Sequence, residues 1–251
     1  MKAFRLWLYR CLAAVADPMG VVRSLLDYPR FLAEWRRYAH LRGAERLLVG
    51  NAHPCLGDRT CSSGIDAHYF YVNGWAMRRI VAQQPAQHVD IGSQILFVNL
   101  LAAVLPVTFV DYRPLKADIA GLTSLSGDIL SLPFEDGTIA SLSCLHVAEH
   151  IGLGRYGDRL NPYGTREACS ELTRVLARGG NLYFALPVGK PRVCFNAHRI
   201  HAVETVVEYL LGLELVELSG VRDDGSYVER VSMQEFAGSR YACGMFWLRK
   251  K

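Results

Sequence analysis

Four titratable side chains lie where the sequence predicts the ends of two strands. His146, Glu149 and His150 follow one predicted strand, and His198 follows a later one. Histidine exchanges protons near neutral pH, so we expect His150 or His198 to act as a general base, with Glu149 in the same catalytic group. For both histidines, a buried imidazole bonded to the backbone is the alternative.

The segment that follows His150 has the composition of a ligand-binding loop. Residues 151–158 (IGLGRYGD) contain three glycines and three polar side chains. Such a loop can bring backbone and polar groups onto a small ligand, so we expect Arg155, Tyr156 and Asp158 to contact a substrate. A surface loop held by an internal Arg155–Asp158 ion pair is the alternative.

Acidic residues recur at the ends of further predicted strands. Asp90 opens the segment DIGSQ, in which Gly92 permits close approach of the backbone to a ligand. Asp111 lies nineteen residues after Gly92, near the spacing at which an acid meets ribose hydroxyls in nucleotide-binding sheets, and Asp128 follows seventeen residues later. This series predicts a nucleotide-like ligand. The alternative is that Gly92 ends a strand and Asp111 caps a helix.

Strands and helices alternate from His88 onward. The predicted strands are HVDIG, VTFVD, TIASLSCLH, NLYFALP, LELVEL and YACGMFWL; the predicted helices are residues 95–105, REACSELTRVLARGG closed by Gly179, and VETVVEYLLG ending at Gly212. This order predicts an α/β fold, a doubly wound and mainly parallel sheet of about seven strands with helices on both faces.

The residues before this domain have a different pattern. Apolar residues at helical spacing between Phe4 and Val15 predict an amphipathic helix broken by Pro18 and Gly20, and a second helical pattern spans residues 29–48. Residues 51–64 are rich in turn formers. We therefore expect a basic helical segment over residues 1–50 and the main domain over residues 51–251.

The positive charge is confined to this first segment. The chain has 251 residues and a net charge of +4, whereas residues 1–46 alone carry +5, so the remainder is close to neutral. This distribution argues against a nucleic-acid partner. The basic amphipathic helix suits either peripheral contact with a membrane or docking on its own domain. The protein is expected in the cytoplasm or at the inner face of the membrane.

The cysteines predict neither a disulfide framework nor a metal site. Seven cysteines are scattered without a recognisable spacing, as in reduced cytosolic proteins. The pattern H-x-C-x5-C-x6-H over residues 53–68 matches no standard zinc spacing, and His146 and His150 lack the H-E-x-x-H order. No metal is expected. The apolar stretches are too short for a transmembrane helix or a signal peptide.

The series of acids resembles that of the class I S-adenosylmethionine-dependent methyltransferases. Residues 127–140 resemble their "GD…LPF.D..FD" segment, CLHVAEH resembles the motif that usually ends in "LEH", and RVLARGGNLYFALPVG is similar to a later helix and strand. The resemblance implies a Rossmann-like fold with S-adenosylmethionine as cofactor. It places Asp90 near the methionine amino group, Asp111 on the ribose, and Asp128 with Ile129 beside adenine. The expected cofactor-binding residues are Asp90, Gly92, Ser93, Asp111, Tyr112, Asp128, Ile129 and His146.

A narrower resemblance covers nearly all of residues 66–202. The segments HVDIGS, LHVAEHIGLGRYGD and FNAHRI look like those of an uncharacterised bacterial domain family often found beside surface-polysaccharide genes. One departure concerns the loop D-x-G-x-G-x-G of the superfamily, because Gln94 and Leu96 replace its second and third glycines. Side chains then occupy positions where the backbone usually approaches the cofactor.

Together these patterns predict methyl transfer from S-adenosylmethionine to a small polar acceptor, such as a sugar in surface-polysaccharide synthesis. The alternative is a non-catalytic protein of the same fold that acts as a partner in a polysaccharide-assembly complex and has lost its cofactor. The oligomeric state and the identity of the acceptor do not follow from the sequence.

Overall fold

The computed structural model describes Arg5 and residues 18–251, with the exception of 57, 60 and 62. The chain divides into two compact units, Met1–Gly64 and Ile65–Lys251. The division follows Gly64, whereas the sequence analysis places it after residue 50. The amphipathic helix predicted between Phe4 and Val15 lies outside the described residues, apart from Arg5.

The first unit contains a long helix, α1 (Pro18–Ala39), and a short 3-10 turn, Val49–Asn51. The helix begins at Pro18, where the sequence predicts a break. The predicted break at Gly20 and the bounds 29–48 of the second helix are wrong, because this helix passes through Gly20 and Pro29 and ends at Ala39. Proline is tolerated in the first turn of a helix, where its missing N–H has no partner to lose. Among the described residues, no helix has both the length and the apolar character needed to cross a bilayer.

The second unit is built on an eight-stranded sheet with helices on both faces. The helices are α2 (Ala67–Gln83), α3 (Ile95–Ala102), α4 (Gly164–Val175) and α5 (Val203–Tyr209). The strands are β1 (His88–Ile91), β2 (Val107–Asp111), β3 (Leu122–Ser126), β4 (Ile139–Leu145), β5 (Leu176–Val188), β6 (Arg192–Cys194), β7 (His198–Ile200), β8 (Leu213–Val221), β9 (Tyr227–Val228) and β10 (Ala242–Lys250).

The strand order in the sheet is β3-β2-β1-β4-β5-β10-β8-β9, and β6 pairs with β7 in a separate hairpin. The first five strands of that order pair in parallel, and β10, β8 and β9 pair antiparallel. The predicted α/β class and the mainly parallel doubly wound sheet are confirmed.

Side-chain alternation along β5 divides the core into two layers. Leu182, Phe184 and Leu186 pack with α4 and α5 on one face, whereas Tyr183 and Ala185 pack with α2 and α3 on the other. All five are fully buried. A strand with both faces covered is hydrophobic throughout, which explains why NLYFALP is an uninterrupted apolar run.

Two predicted boundaries needed correction. The helix expected to close at Gly179 ends at Val175, and β5 begins at Leu176. Gly179 has a φ of +72° and lies where the β4–β5 register shifts, so it forms a bulge inside the strand. The edge strand β3 was not predicted because its sequence, LTSLS, has a weak apolar pattern and is half exposed.

The chain order places a crevice at one edge of the sheet. β1 lies between β2 and β4, and the chain leaves β1 towards β2 on one side and returns to β4 on the other. Ligands of open α/β sheets bind at the carboxyl ends of the strands where the order reverses in this way. The segments after β1, β2 and β4 therefore surround the expected binding site.

Candidate functional site

A cavity of about 730 Å³ lies at the carboxyl ends of β1, β2 and β4. A second cavity of about 640 Å³ adjoins it and shares Gly92, Asp111, Arg113, His146, His150 and Tyr156 in its wall. Both volumes fall in the range of small-molecule and cofactor sites. The predicted residues on the wall of the larger cavity are Gly92, Asp111, Tyr112, Asp128, Ile129, His146, His150, Tyr156 and Asp158.

The segment after β1, Gly92–Gln94, is held by buried side chains. Gly92 has a φ of +65°, and a Cβ at this position would meet Val147 Cγ1 at 3.2 Å. The Ser93 amide donates to Asp90 Oδ1 over 3.0 Å, and the Leu145 amide donates to Ser93 Oγ over 3.0 Å. Ser93 lines the smaller cavity.

Asp90 does not line either cavity. It is fully buried, and the Ser143 hydroxyl donates to its Oδ2. Burial raises the pKa of Asp90, and the hydrogen bonds from Ser143 and Ser93 lower it. Burial has the larger effect, so the pKa is about 6. In this structure the carboxyl group therefore positions the segment after β1, rather than facing the space in which a ligand would lie.

The two residues that replace the superfamily glycines leave the larger cavity open. The side chain of Gln94 turns towards α2, where Asn73 Nδ2 donates to its Oε1 over 2.6 Å. Leu96 is 66% exposed and lines neither cavity. Gln94 lines only the smaller cavity. The altered loop thus retains the one glycine, Gly92, that lies on the cavity wall.

Two further acids, Asp111 and Asp128, lie on the wall of the larger cavity. Asp111 ends β2, where its Oδ1 accepts the Arg113 amide over 2.7 Å, and its Oδ2 lies 3.5 Å from the Cβ position of Gly92. Asp128 Oδ1 accepts the Leu130 amide over 2.9 Å in an Asx turn, which positions the buried Ile129 beside it. Tyr112 is largely exposed at the rim. The wall therefore offers carboxylates that could bind the hydroxyls of a nucleoside sugar and an apolar side chain that could contact its base.

His150 is bonded to the backbone and also lines both cavities. Its Nδ1 lies 2.6 Å from the carbonyl oxygen of Ala197. A carbonyl can only accept, so Nδ1 carries the proton and Nε2 is the nitrogen free to take one. The two alternatives from the sequence are therefore compatible: the backbone bond selects the tautomer that a general base requires.

Glu149 lies between the two histidines and off the cavity wall. Its Oε1 is 3.0 Å from His146 Nδ1 and 3.8 Å from His150 Nε2. Burial raises the pKa of Glu149, but its contacts with His146 and His150 outweigh burial and lower it overall. Burial lowers the pKa of His146, whereas its contacts with Cys243 and Glu149 raise it to about 10. Glu149 thus orients histidines and does not reach the cavity.

His198 and Arg155 also lie away from the wall. The His198 ring packs against Tyr241 with 4.9 Å between centroids, and burial lowers the pKa of His198. Arg155 Nη1 lies 3.3 Å from the Ala197 carbonyl, and its guanidinium stands 5.1 Å from the ring centre of Tyr156. His198 and Arg155 are not among the residues that line either cavity.

Asp158 shapes the loop after β4 from within. Its Oδ2 accepts the amides of Gly152 (2.7 Å) and Gly154 (3.3 Å), and its Oδ1 accepts the Tyr156 amide (3.2 Å). Burial raises the pKa of Asp158, and these amides outweigh burial so that the pKa is lowered. The carboxylate bonds backbone amides, whereas the alternative from the sequence pairs it with Arg155. The buried Arg199 of β7 donates to carbonyl groups at both ends of this loop, Ile151 and Asn161.

Several wall residues were missed by sequence reasoning. Arg113 follows β2 and stands 4.8 Å from the ring centre of Tyr156, so two loops meet across the cavity. Its position two residues after Asp111 could have identified it. The remaining missed residues include Leu130, Arg159, Leu160, Asn161, Pro162 and Glu167 of the larger cavity, and Tyr69 and Lys116 of the smaller one.

One protein family matches part of this chain. Its description is "Caenorhabditis protein of unknown function, DUF268", and the match covers residues 136–236. That range includes the loop after β4 and the hairpin β6–β7, and it excludes the segments after β1 and β2. No curated protein matches the chain.

Solved structures share the architecture at low sequence identity. The N-methyltransferase NodS from Bradyrhizobium japonicum WM9, in complex with S-adenosyl-L-homocysteine, has a TM-score of 0.53, is 17% identical and covers 72% of this chain and 86% of its own. The [4+2]-cyclase SpnF has a TM-score of 0.52 at 14% identity, with coverages of 72% and 80%. The YcgJ protein from Bacillus subtilis has a TM-score of 0.50 at 12% identity, with coverages of 72% and 99%. These similarities establish the Rossmann-like fold of the methyltransferases.

Proposed function

We propose that residues 65–251 bind S-adenosylmethionine in the larger cavity and transfer its methyl group to a small polar acceptor. The observation that carries this proposal is the position of one cavity among Gly92, Asp111 and the pair Asp128–Ile129. These are the places at which the superfamily resemblance puts the cofactor. NodS, a neighbour in fold, was solved with S-adenosyl-L-homocysteine.

The shape of the wall supports a cofactor in this orientation. At Gly92 a Cβ would lie 3.2 Å from Val147 Cγ1 and 3.5 Å from Asp111 Oδ2, so only glycine leaves the backbone accessible here. The Asp111 carboxylate can accept hydrogen bonds from ribose hydroxyls, and Ile129 offers an apolar surface to adenine. The Gln94 side chain is held by Asn73, away from this position.

His150 is the residue we assign as general base. When bound, the sulfonium of the cofactor supplies the methyl group and its own leaving group. The protein must then position an acceptor and remove a proton from it. The hydrogen bond from His150 Nδ1 to Ala197 leaves Nε2 to receive that proton, and His150 contributes to both cavities. Glu149, whose Oε1 lies 3.8 Å from His150 Nε2, is assigned to the support of this histidine.

The acceptor we propose is a sugar or another small polar molecule of surface-polysaccharide synthesis. The smaller cavity offers Tyr69, Tyr156 and Lys116, a mixture of aromatic and cationic side chains. Aromatic faces and hydrogen-bonding groups together suit a sugar ring. The proposal that the acceptor belongs to polysaccharide synthesis rests on the family resemblance of residues 66–202.

Isothermal titration calorimetry of the full chain with S-adenosylmethionine and S-adenosylhomocysteine tests the cofactor assignment. We expect Asp111→Ala to weaken binding at least about tenfold, because it removes charge-assisted hydrogen bonds to the ribose. Asp118→Ala is the matched control, since Asp118 is an exposed acid outside both cavities. It should bind like the wild type.

Absence of binding at millimolar cofactor would contradict the enzyme proposal and favour the non-catalytic alternative. Unchanged affinity in Asp111→Ala would place the cofactor elsewhere. SpnF, a [4+2]-cyclase of the same architecture, is a reason to include other small ligands in the titration. Binding of one of these in place of S-adenosylmethionine would indicate a different reaction in this fold.

For residues 1–46 we propose peripheral contact with an anionic membrane at the cytoplasmic face. These residues carry a net charge of +5, and α1 exposes apolar side chains that include Leu25 and Leu26. Co-sedimentation with anionic vesicles at low salt is the test. Full-length protein should sediment and the chain starting at Asn51 should not. Equal sedimentation of the full-length protein and the shortened chain would contradict the proposed membrane contact.

A further inference from the structure

Three metal-ligating side chains from distant parts of the sequence meet beside the cavities. His68 lies in the first turn of α2, His146 follows β4, and Cys243 lies in β10. Their donor atoms all lie within 4.8 Å of one another. His146 and Cys243 are buried, and His68 is partly buried. The sequence analysis expected no metal, because no local spacing connects these three positions.

The spacing of the donor atoms suits a tetrahedral ion. Zinc binds imidazole nitrogen at about 2.0–2.1 Å and thiolate sulfur at about 2.3 Å, which places the nitrogen and the sulfur about 3.6 Å apart in a tetrahedron. Cys243 Sγ lies 3.3 Å from His146 Nε2. The His68 ring lies nearly parallel to the His146 ring, with 5.6 Å between centroids, so the His68 side chain must turn for its donor nitrogen to enter the same sphere. Two imidazoles and a thiolate form a borderline-soft set that prefers Zn²⁺ to Mg²⁺ or Ca²⁺.

Both histidines have neighbours that hold their rings. Glu149 Oε1 accepts a hydrogen bond from His146 Nδ1 over 3.0 Å, and the other ring nitrogen, Nε2, faces Cys243 Sγ. The His68 ring stacks on the Tyr241 ring with 5.0 Å between centroids, which holds its orientation. A carboxylate or a carbonyl behind the imidazole fixes the tautomer and the ring orientation at metal sites.

The charges of the cluster also balance around a divalent cation. Glu149 is 1% exposed, and its Oε2 has no hydrogen-bond partner among the described residues. Binding of Zn²⁺ would release to solvent the one proton held by the His146–Cys243 pair and would form Zn–N and Zn–S bonds. One thiolate and one carboxylate then offset the two positive charges of the ion, with both imidazoles neutral.

We propose that His68, His146 and Cys243 form a Zn²⁺ site with Glu149 as its outer-sphere partner. Three protein ligands leave a fourth coordination position, as in catalytic zinc sites, for water or a ligand. His146 belongs to the walls of both cavities, so the ion lies next to the proposed substrate space. The site is independent of the proposed methyl transfer and requires no bound cofactor.

Titration of the full chain with Co²⁺, after removal of metal with a chelator and in the presence of a phosphine reductant, tests the proposal. We expect one equivalent to bind, with thiolate-to-cobalt charge-transfer absorption and the intense visible bands of a four-coordinate ion. Zn²⁺ should displace the cobalt and remove these bands. Elemental analysis of the purified protein measures the same stoichiometry for zinc.

Variants separate this site from other cysteines and histidines. Cys243→Ser should abolish the charge-transfer band, and His68→Gln, near the surface, should weaken Co²⁺ binding at least about tenfold. Glu149→Gln should keep the band and weaken binding about 10–100-fold. Cys169→Ala and His201→Gln are controls, because neither side chain belongs to the cluster. Both should bind like the wild type.

Two results would overturn the proposal. The first is a folded wild-type chain that binds no Co²⁺ or Zn²⁺, which would leave the three side chains as hydrogen-bonded core packing. The second is a charge-transfer band that persists in Cys243→Ser. Circular dichroism establishes that each variant is folded, and His68→Gln keeps the test valid if Cys243→Ser is unfolded.

Discussion

The loops after β1 and β4 border the same cavity but are built in different ways. The loop after β1 (residues 92–94) has one glycine and is held by the buried Asp90 and by Ser93. The loop after β4 (residues 151–158) has three glycines with positive φ. Asp158 accepts hydrogen bonds from three amides within the loop, and Arg199 donates to the carbonyls of Ile151, at its start, and Asn161, just beyond its end.

This difference shows two ways in which the chain fixes a loop at the same cavity. Because buried side chains fix the loop after β1, its shape follows from the sheet and needs little glycine. The loop after β4 determines its own shape through backbone amides. The match to the DUF268 family covers the second loop and excludes the first. The family match and the internal hydrogen bonds are thus both found at the second loop.

Gly152→Ala should cause the largest loss of stability, because it changes a glycine whose conformation the loop after β4 requires. Gly152 has a φ of +80°, and a Cβ would lie 2.2 Å from the Asn161 carbonyl oxygen. Left-handed strain and overpacking together should cost about 4 kcal/mol. Urea unfolding measures this loss. A loss below 1 kcal/mol would mean that the loop has no fixed shape, and the comparison would fail.

Asp90→Asn should change the pH dependence of stability. Burial raises the pKa of Asp90 to about 6, so the folded state holds a proton that the unfolded chain releases near pH 4. The contribution of Asp90 to stability therefore falls as pH rises between about 4 and 6, by about 3 kcal/mol. The asparagine variant lacks this loss.

The stability of Asp90→Asn relative to the wild type should accordingly rise from pH 4 to pH 7, as followed by urea unfolding. Asp118→Asn, at an exposed position, is the control and should show a constant difference. A constant difference for Asp90→Asn as well would mean that the first loop is not held by a buried, protonatable carboxyl group.

Asp158→Ala should destabilise the chain by about 2 kcal/mol, because three backbone amides lose their acceptor. Asp158→Asn keeps one oxygen and should lose less. The pKa of Asp158 is lowered in the folded state, so its contribution is present at neutral pH and lost on acidification, opposite to that of Asp90. Equal stability of Asp158→Ala and the wild type at pH 7 would show that water replaces the carboxylate.

Gly157→Ala should have the smallest effect and is the steric control for Gly152→Ala. Gly157 has a φ of +84°, but a Cβ would meet no atom within 4 Å. Only the backbone strain remains, about 1 kcal/mol. The difference between the two glycine variants in the same urea experiment isolates the contact with Asn161. Equal losses would show that this close approach contributes nothing.

The fold followed from the sequence to a large extent because its strands are strongly apolar. HVDIG, VTFVD and NLYFALP lie in the middle of a covered sheet, where continuous apolar runs are required. The edge strand β3 and the bulge at Gly179 carry no such signal. Gly20 was misinterpreted as a break because an isolated glycine lowers the stability of a helix without ending it.

The site was less predictable because its geometry depends on contacts between distant residues. Strand ends indicated Asp111 and His150, but burial of Asp90 depends on Ser143, and the orientation of Glu149 depends on His146. Cys243 is ninety-seven residues from its contact, His146. A single sequence contains no local pattern that joins such pairs. The roles of the individual residues remain predictions for the experiments above.

The position of β10 has a consequence for biosynthesis. This strand, Ala242–Lys250, lies between β5 and β8, so β8 and β9 join the sheet only through it. While the ribosome is still making residues 242–250, β5 has an open edge with a long apolar sequence, and unpaired edges of this kind promote aggregation. The sheet can therefore close only after residues 242–250 have emerged from the ribosome.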